Sequence, residues 1–227
     1  MTPIAAAFMQ ELYQQNVYEG FDYSDIAPDV HGSGGNPVFE QIFDAAKPGL
    51  VIEVGSWKGS SAIRMAQLMK ERDIPGVVLC VDTWLGGLDH ISKPMAPEWD
   101  ISRYRHHGYP TLYYQFMANV LQAGMQDYIV PFPNTSAIAA RWLQQRGIQA
   151  DLIYVDASHE ENDVYNDIND YWKVLRPGGV MLGDDYNPYW AGLVKDVGRF
   201  SEEHGLTIHS GGQNNWMFIK PGQAAPQ

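Results

Sequence analysis

Three aspartates and a histidine follow two of the short apolar runs of the chain. Asp156 and His159 belong to Tyr-Val-Asp-Ala-Ser-His, and Asp184 and Asp185 belong to Met-Leu-Gly-Asp-Asp-Tyr. Carboxylates that meet at one place repel one another unless a cation lies between them, and oxygen ligands alone suit Mg²⁺, Mn²⁺ or Ca²⁺ rather than zinc. Asp156, Asp184 and Asp185 therefore predict a divalent metal site. The alternative is that Asp156 caps a helix and Asp184 or Asp185 faces water.

His159 is a candidate general base, together with Asp156 as a catalytic residue. A free imidazole has a pKa of about 6.5, so its neutral form can accept a proton near neutral pH. A hydroxyl close to a divalent cation also ionises more easily. The alternative is that His159 stabilises its own loop or packs against a cofactor.

A second set of residues predicts ligand binding. Gly55 and Gly59, in the segment EVGSWKG, allow a tight turn between an apolar run and a helix. Their spacing differs from the dinucleotide pattern G-x-G-x-x-G, and a P-loop is absent from the sequence. Asp82 ends the next apolar run, where an acid can accept hydrogen bonds from ribose hydroxyls. The turn and the acid predict an adenosine-containing ligand, unless Asp82 is a helix cap or a surface acid.

Short apolar runs supply the strands that must position these residues. Strands buried on both faces read as continuous Val, Ile and Leu, and most of the runs precede a segment of helical periodicity. After the first run, Ser60 and Ser61 offer N-caps for such a helix. The pattern predicts an α/β fold with a doubly wound, mostly parallel sheet. The runs are Leu50–Val54, Val77–Val81, Tyr128–Phe132, Leu152–Val155 and Val180–Leu182.

The remaining segments set the predicted organisation. Two apolar stretches, Leu206–Ser210 and Trp216–Lys220, are joined by a turn too short for a helix and predict an antiparallel hairpin that closes the sheet. We predict a helical N-terminal cap or entry segment at 1–48, with His31–Pro37 (HGSGGNP) as a mobile loop. We predict that residues 49–220 form the main domain and that residues 221–227 form a tail. An insertion at about 83–118, rich in aromatic residues and histidine, predicts a lid; the alternative is a decorated surface loop.

Composition limits the partners. The chain has 227 residues, 27 of them acidic and 15 basic, for a net charge of −12. This charge argues against nucleic acid and anionic membranes as partners. The single cysteine, Cys80, excludes an internal disulfide and a Cys-rich metal site. Because neither a signal peptide nor a long apolar stretch is present, we expect a soluble cytoplasmic protein that acts on a small molecule, with a monomer and a homodimer both open.

The segment Glu53–Ala66 (EVGSWKGSSAIRMA) resembles the S-adenosylmethionine (SAM) loop of class I methyltransferases, and closely that of the catechol O-methyltransferase group. The resemblance extends to Asp82 as the ribose acid, to Asn134-Thr135-Ser136 after the third strand, and to Arg176–Gly179 before the fifth. It covers roughly 50–220 and implies a Rossmann-like fold, an α/β/α sandwich. The catechol enzymes carry Asn where this chain has Asp185, so the acidic residues resemble more closely those of sugar O-methyltransferases that act on macrolides and aminocoumarins.

The resemblance implies roles for individual residues. Glu53 and Gly55 would contact the methionine or ribose part of SAM, Ser61 its carboxylate, Asp82 the ribose and Ser136 the adenine. His159 stands where the catechol group has a lysine base. The full implied cofactor set is Glu53, Gly55, Ser56, Trp57, Gly59, Ser61, Asp82, Thr83, Trp84, Asn134, Thr135, Ser136 and Asp156.

The implied activity is a SAM-dependent, Mg²⁺-assisted O-methyltransferase, with Mn²⁺ or Ca²⁺ as other candidate ions. Its acceptor would be a hydroxyl of a sugar, a phenol or an intermediate of natural product biosynthesis. Three alternatives stay open: a metal-independent methyltransferase of the same fold, a non-catalytic SAM-binding protein, and a nicotinamide-dependent oxidoreductase, for which the glycine spacing is wrong.

Overall fold

Eight strands and eight helices are present in the computed structural model, which describes residues 1–92 and 96–222. The strands are β1 (Leu50–Val54), β2 (Val77–Asp82), β3 (Arg105–His106), β4 (Tyr109–Pro110), β5 (Ile129–Pro133), β6 (Ala150–Val155), β7 (Leu175–Gly183) and β8 (Trp216–Ile219). The helices are α1 (Pro3–Tyr13), α2 (Val38–Ala46), α3 (Ser60–Glu71), α4 (Leu88–Ser92), α5 (Leu112–Gln122), α6 (Ser136–Gln145), α7 (Asp163–Trp172) and α8 (Ala191–His204).

Six strands form one sheet in the order β5-β2-β1-β6-β7-β8. Strands β5, β2, β1, β6 and β7 are parallel to their neighbours, and β8 is antiparallel to β7. The sheet interior is buried on both faces, which is why these strands read as continuous apolar runs. The predicted α/β fold with a mostly parallel sheet is confirmed. The carboxyl ends of the parallel strands all lie at the same edge of the sheet.

The closing antiparallel strand is confirmed, but the first arm of the predicted hairpin contributes less than a strand. Within Leu206–Ser210, one bridge joins His209 to Met217 of β8. The other end of this arm is held by helix α8, because Leu206 donates its backbone N–H to Ser201 and accepts from the Ser201 hydroxyl. Its backbone groups are therefore unavailable for a ladder.

Strand β7 is longer than the predicted Val180–Leu182. It begins at Leu175 and includes the Arg176–Gly179 turn, across which its register with β6 shifts. Gly178 has a φ of +74°, a conformation that favours glycine. The proline and glycines thus bend a strand that was predicted to start after them.

The N-terminal segment packs along edge strand β5. Helix α1 buries Ala5, Phe8 and Met9 in the core, and the hydroxyls of Tyr13 and Tyr18 donate to backbone carbonyls of β5. These contacts cover an edge whose backbone groups would otherwise face solvent. Among the described residues, none of the helices has the length and apolar character needed to cross a membrane.

The connection from β2 to β5 contains α4, the two-stranded β3–β4 ribbon and α5. It is joined to the turn after β1 by the buried Lys58, whose Nζ donates to Asp29 Oδ2 at 2.9 Å and to the Glu98 carbonyl at 2.8 Å. Residues 93–95 of the predicted lid and 223–227 of the predicted tail lie outside the described residues.

Candidate active site

A cavity of about 790 Å³ lies beyond the carboxyl ends of the parallel strands. Its volume falls in the range of small-molecule sites, and its position is where open α/β sheets bind ligands. Most of the residues predicted from the sequence line it, namely Gly55, Ser56, Trp57, Ser61, Asp82, Thr83, Asn134, Thr135, Ser136, Asp156, His159, Asp184 and Asp185. Glu53, Gly59 and Trp84 are absent from this lining and lie behind it.

Two positions in the turn after β1 require glycine because their backbone φ angles are positive. Gly55 has a φ of +87°, and a Cβ there would lie 2.0 Å from the carbonyl oxygen of Asp156. Gly59 has a φ of +86° and occupies the N-cap of α3, so Ser60 and Ser61 are the first residues of the helix and not its caps as predicted. Both hydroxyls bond elsewhere: Ser60 accepts from a backbone N–H of the N-terminal segment, and Ser61 donates to a buried acid.

Asp82 holds this turn in place. Its carboxylate accepts backbone N–H bonds from Ser56 at 2.9 Å, from Trp57 at 2.8 Å and from Trp84 at 2.7 Å. Burial raises the pKa of Asp82 even though these three donors oppose the rise. In this structure the predicted ribose acid is thus an organiser of the turn itself.

Glu53 lies under the turn and is fully buried. Its Oε1 accepts from the Ser61 hydroxyl at 2.5 Å, and burial raises the pKa of Glu53 to about 7. Above the acid, Ser56 Oγ and Trp57 Nε1 are buried and have no hydrogen-bond partner among the described residues. Both residues line the cavity, so a polar ligand could satisfy these atoms.

The far end of the cavity is formed by the start of α6 and the side of α7. Thr135 caps α6, its Oγ accepting from a backbone N–H, and Asn134 and Ser136 flank it at the cavity wall. Thr83 Oγ accepts from the backbone of the lid. Asp167 of α7 faces the same space, and burial raises its pKa to about 7.

Aromatic rings line the side of the cavity next to the lid. Trp57 stacks on His90 with centroids 4.3 Å apart, and Trp99 meets the edge of His31 at 4.9 Å. Trp84 is buried behind them and donates its Nε1–H to the Trp57 carbonyl at 2.8 Å. The described part of the predicted lid therefore contributes aromatic residues to the cavity wall.

The opposite end of the cavity is acidic. The Tyr154 hydroxyl lies 3.1 Å from an oxygen of Asp156 and 3.1 Å from an oxygen of Asp184. A single hydroxyl proton cannot be donated to both carboxylates at once. Burial, together with the charges of Asp184 and Asp185, raises the pKa of Asp156 to about 7, and burial raises the pKa of Asp184.

His159 is held by one aromatic ring and two acids. Its Nε2 is 2.8 Å from Asp185 Oδ2, its Nδ1 is 3.7 Å from Asp89 Oδ2, and its ring stacks on Trp190 at 3.9 Å. Burial alone would lower the pKa of His159, but the hydrogen bond and charge of Asp185 outweigh this effect and raise it.

One group of side chains has the geometry to hold a metal ion. Ligand atoms of Asp156, His159 and Asp185 lie within 4.8 Å of one another. Asp184, the third member of the predicted set, does not belong to this group; its Oδ1 accepts from Asn215 Nδ2 at 3.1 Å and from the Asp185 backbone at 2.9 Å.

Two residues of this end were missed by the sequence analysis. Tyr154 stands two positions before Asp156 in a strand, and that spacing places both side chains on the same face, a signal that could have been used. Trp190 lies in a short turn before α8 and carries no comparable signal.

Comparison with known proteins identifies the family. A model for a methyltransferase domain matches residues 52–186, which include the glycine turn, Asp82 and the acidic end of the cavity. The chain belongs to this methyltransferase family. The resemblance that was inferred from the glycine turn is therefore confirmed, and so is the prediction of a methyltransferase at the level of the family.

Relatives of this methyltransferase are distant. An uncharacterized protein of Acanthamoeba polyphaga mimivirus is 26% identical over 145 residues, which are 63% of this chain and 54% of the viral protein. The chain thus matches about half the length of that relative.

Solved structures share the fold of this methyltransferase. The O-methyltransferase NovP is 15% identical with a TM-score of 0.59, covering 81% of this chain and 79% of its own. An O-methyltransferase from Bacillus cereus, solved in complex with SAH, is 16% identical with a TM-score of 0.55, covering 94% and 91%. These matches confirm the Rossmann-like fold.

Proposed function

We propose that this chain transfers the methyl group of SAM to a hydroxyl of a small molecule. The observation that carries the proposal is that one cavity is lined both by the glycine turn and by the hydrogen-bonded pair His159 and Asp185. The glycine turn lies within the region that matches the methyltransferase family. NovP and the Bacillus cereus protein, both described as O-methyltransferases, support oxygen as the acceptor atom.

The glycine-turn end fits SAM. Ser56 and Trp57 line the cavity, and the buried Ser56 Oγ and Trp57 Nε1 have no hydrogen-bond partner among the described residues. The N-terminus of α3 follows this turn, with backbone N–H groups that suit a carboxylate. The Bacillus cereus relative was solved with SAH, the product of this cofactor. Asp82 would act mainly by fixing the turn, because its oxygens already accept three backbone hydrogen bonds.

The acidic end fits a divalent cation and a proton acceptor. Asp156, His159 and Asp185 would hold the ion, and their oxygen and nitrogen donors suit Mg²⁺ or Mn²⁺. A bound cation would supply positive charge that lowers the pKa of an acceptor hydroxyl. His159 Nε2 donates its proton to Asp185 Oδ2, so Nδ1 is the ring nitrogen that is left to receive the hydroxyl proton when no ion occupies the group.

The reaction balances without a covalent intermediate on the protein. The acceptor oxygen bonds to the methyl carbon as the carbon–sulfur bond of SAM breaks, and the acceptor proton leaves for His159 or for solvent. The products are a methyl ether and SAH. The chain contributes orientation and electrostatic stabilisation, which are the main sources of rate enhancement for such transfers.

The acceptor is proposed to be a small hydroxylated molecule, such as a sugar, a phenol or an intermediate of natural product biosynthesis. The aromatic wall formed by Trp57, His90 and Trp99 can stack on a flat or sugar-like ring. A cavity of about 790 Å³ leaves room for an acceptor beside the cofactor.

The test combines binding with transfer. Calorimetry should show binding of SAM and no binding of NAD. Methyl-labelled SAM is then incubated with a hexose glycoside, a catechol and a phenol, with EDTA and after addition of Mg²⁺. We expect label on an acceptor hydroxyl, loss of transfer in EDTA and recovery with Mg²⁺.

Other results point to other functions. Transfer that survives EDTA would show a metal-independent enzyme in which His159 is the base. Binding of SAM without transfer to any hydroxyl acceptor would support a SAM-binding protein, and failure to bind SAM would refute the proposal.

A further inference from the structure

A glycine-rich strap, residues His31–Pro37, crosses the acidic end of the cavity. The strap lies outside the region 52–186 that matches the methyltransferase family. Ser33 and Asn36 connect the strap to the carboxylates of the site, and Phe39, just after the strap, contacts the tyrosine that lies between them.

The first contact is direct. Ser33 Oγ donates a hydrogen bond to Asp156 Oδ2 at 3.3 Å. The next residue, Gly34, donates its N–H to Ser60 Oγ at 3.1 Å, and a Cβ on Gly34 would lie 2.6 Å from the Ser60 carbonyl oxygen. Glycine at this position is what lets the strap come close enough to the start of α3 for Ser33 to reach the acid.

The second contact is a relay through two buried amides. Asn36 Nδ2 donates to Asn215 Oδ1 at 2.7 Å, and Asn215 Nδ2 donates to Asp184 Oδ1 at 3.1 Å. Asn36 is 7% exposed and Asn215 is 1% exposed. With its oxygen fixed by Asn36, the Asn215 amide must present its nitrogen to Asp184, which fixes that carboxylate.

The third contact is apolar. Phe39, on the first turn of α2, meets the ring of Tyr154 edge-on with centroids 5.1 Å apart. Tyr154 is the residue whose hydroxyl lies between Asp156 and Asp184. The strap and the start of α2 therefore reach both acids and the group between them.

We propose that Ser33, Asn36 and Asn215 are positioning residues that set the orientation of Asp156 and Asp184. With the relay intact, Asp184 is satisfied by Asn215 and by a backbone N–H, which leaves Asp156 and Asp185 free to face the cavity with His159. The expected effect on methyl transfer rests on the proposed function, whereas the orientation of the carboxylates does not.

The decisive variant is Asn215→Asp. It keeps the size of the side chain and the oxygen that accepts from Asn36, but replaces the donor to Asp184 by an oxygen that repels it. Changes in groups that orient ligating or reacting residues cost about 10–100-fold in activity or metal affinity. We expect a fall of that size in kcat and in Mg²⁺ affinity. The Kd for SAM should stay at its wild-type value, because the hydrogen bonds of Asn215 do not reach the glycine turn.

The matched control is Asn214→Asp, which adds the same charge at the adjacent, exposed position. It should keep wild-type kcat. Ser33→Ala should lower kcat in the same direction as Asn215→Asp, and Ser33→Thr, which keeps a hydroxyl, should recover most of the loss. Circular dichroism of each variant shows whether it is folded.

A crystal structure of Asn215→Asp gives a readout independent of activity. Rotation of the Asp184 carboxylate away from Tyr154 supports the proposal, and an unmoved carboxylate overturns it. If the wild type transfers methyl groups and Asn215→Asp does so equally well, the positioning role is wrong and the proposed function stands. If the wild type transfers none, the proposed function fails and the crystal structure alone decides the positioning role.

Discussion

Asp82, at the glycine-turn end of the cavity, and Asp156, at the acidic end, differ in how they are supplied with hydrogen-bond donors. At the glycine-turn end, Asp82 accepts three backbone hydrogen bonds and Glu53 accepts one from Ser61. At the acidic end, Asp184 accepts from Asn215 and from a backbone N–H, whereas Asp156 accepts only from the Ser33 hydroxyl and from the Tyr154 hydroxyl that it shares with Asp184. The backbone of the turn therefore supplies Asp82 with donors for both oxygens, whereas Asp156 has fewer donors than its two oxygens can use.

This difference separates an acid that stabilises the turn from acids that we propose to act in the reaction. A buried carboxylate with a full set of donors stabilises a turn and needs nothing from outside the protein. Carboxylates that compete for one proton hold a charge that a cation, a proton or a substrate can neutralise. The residue type is the same at both ends, and the supply of donors decides the role.

The largest expected effect is at His159. Replacement by Gln keeps a polar side chain but removes the imidazole that would hold the ion or, without an ion, accept the proton, and loss of a general base costs about 10²–10⁴ in rate. We expect kcat to fall at least about 100-fold on that scale, with SAM affinity unchanged in calorimetry. His106→Gln, in the exposed β3–β4 ribbon, is the control and should behave as wild type. If His159→Gln kept the kcat of the wild type, His159 would have no part in the reaction, and the acidic end could not be distinguished from the glycine-turn end by its role in catalysis.

The next effect concerns stability and pH at Glu53. Burial raises its pKa from 4.5 to about 7, so the folded protein keeps this proton after the unfolded chain has released it. The contribution to stability is therefore full below pH 4.5 and is lost as pH rises to about 7. Glu53→Gln keeps an acceptor for Ser61 without a titrating group.

Urea unfolding at low and high pH tests this. Relative to wild type, Glu53→Gln should gain up to about 3 kcal/mol of unfolding free energy between acidic and mildly alkaline solution. A difference between the two proteins that stays constant with pH would show that the pKa of Glu53 is the same in the folded and unfolded chains.

A smaller effect is expected at Asp82. Asp82→Asn replaces one acceptor oxygen by a donor that faces a backbone N–H, which costs about 1–3 kcal/mol. We expect a lower free energy of unfolding in urea and weaker SAM binding, because Asp82 holds the turn that forms part of the proposed cofactor site. Asp73→Asn, at an exposed turn, is the control. Unchanged SAM affinity in Asp82→Asn would show that the turn does not contribute to the cofactor site.

The smallest effect is expected at Trp190. Its ring stacks on His159 at 3.9 Å, and aromatic pairs of this kind contribute about 0.5–1.5 kcal/mol. Trp190→Ala should lower kcat by roughly 2–12-fold, as that range of free energy implies, and Trp190→Phe should restore most of it. Initial rates of methyl transfer measure both. Equal rates in all three proteins would show that the stacking does not orient His159.

The parts of the fold that were predicted correctly are those with local signals. Buried parallel strands give continuous apolar runs, and glycines mark the turn after β1. The arm Leu206–Ser210 was predicted as a strand because its composition is apolar, but its pairing depends on Ser201 of helix α8, which competes for its backbone. A short apolar segment cannot reveal such a competitor.

The sequence by itself determined the family, the mostly parallel sheet and the presence of acids after β2, β6 and β7. These features reside in contiguous residues, so local pattern is enough. The tertiary structure decided which acids receive donors. Ser33 reaches Asp156 across 123 positions, and Asn36 reaches Asn215 across 179. Hydrogen bonds between such distant residues exist only once the sheet has brought them together, because no local pattern encodes them.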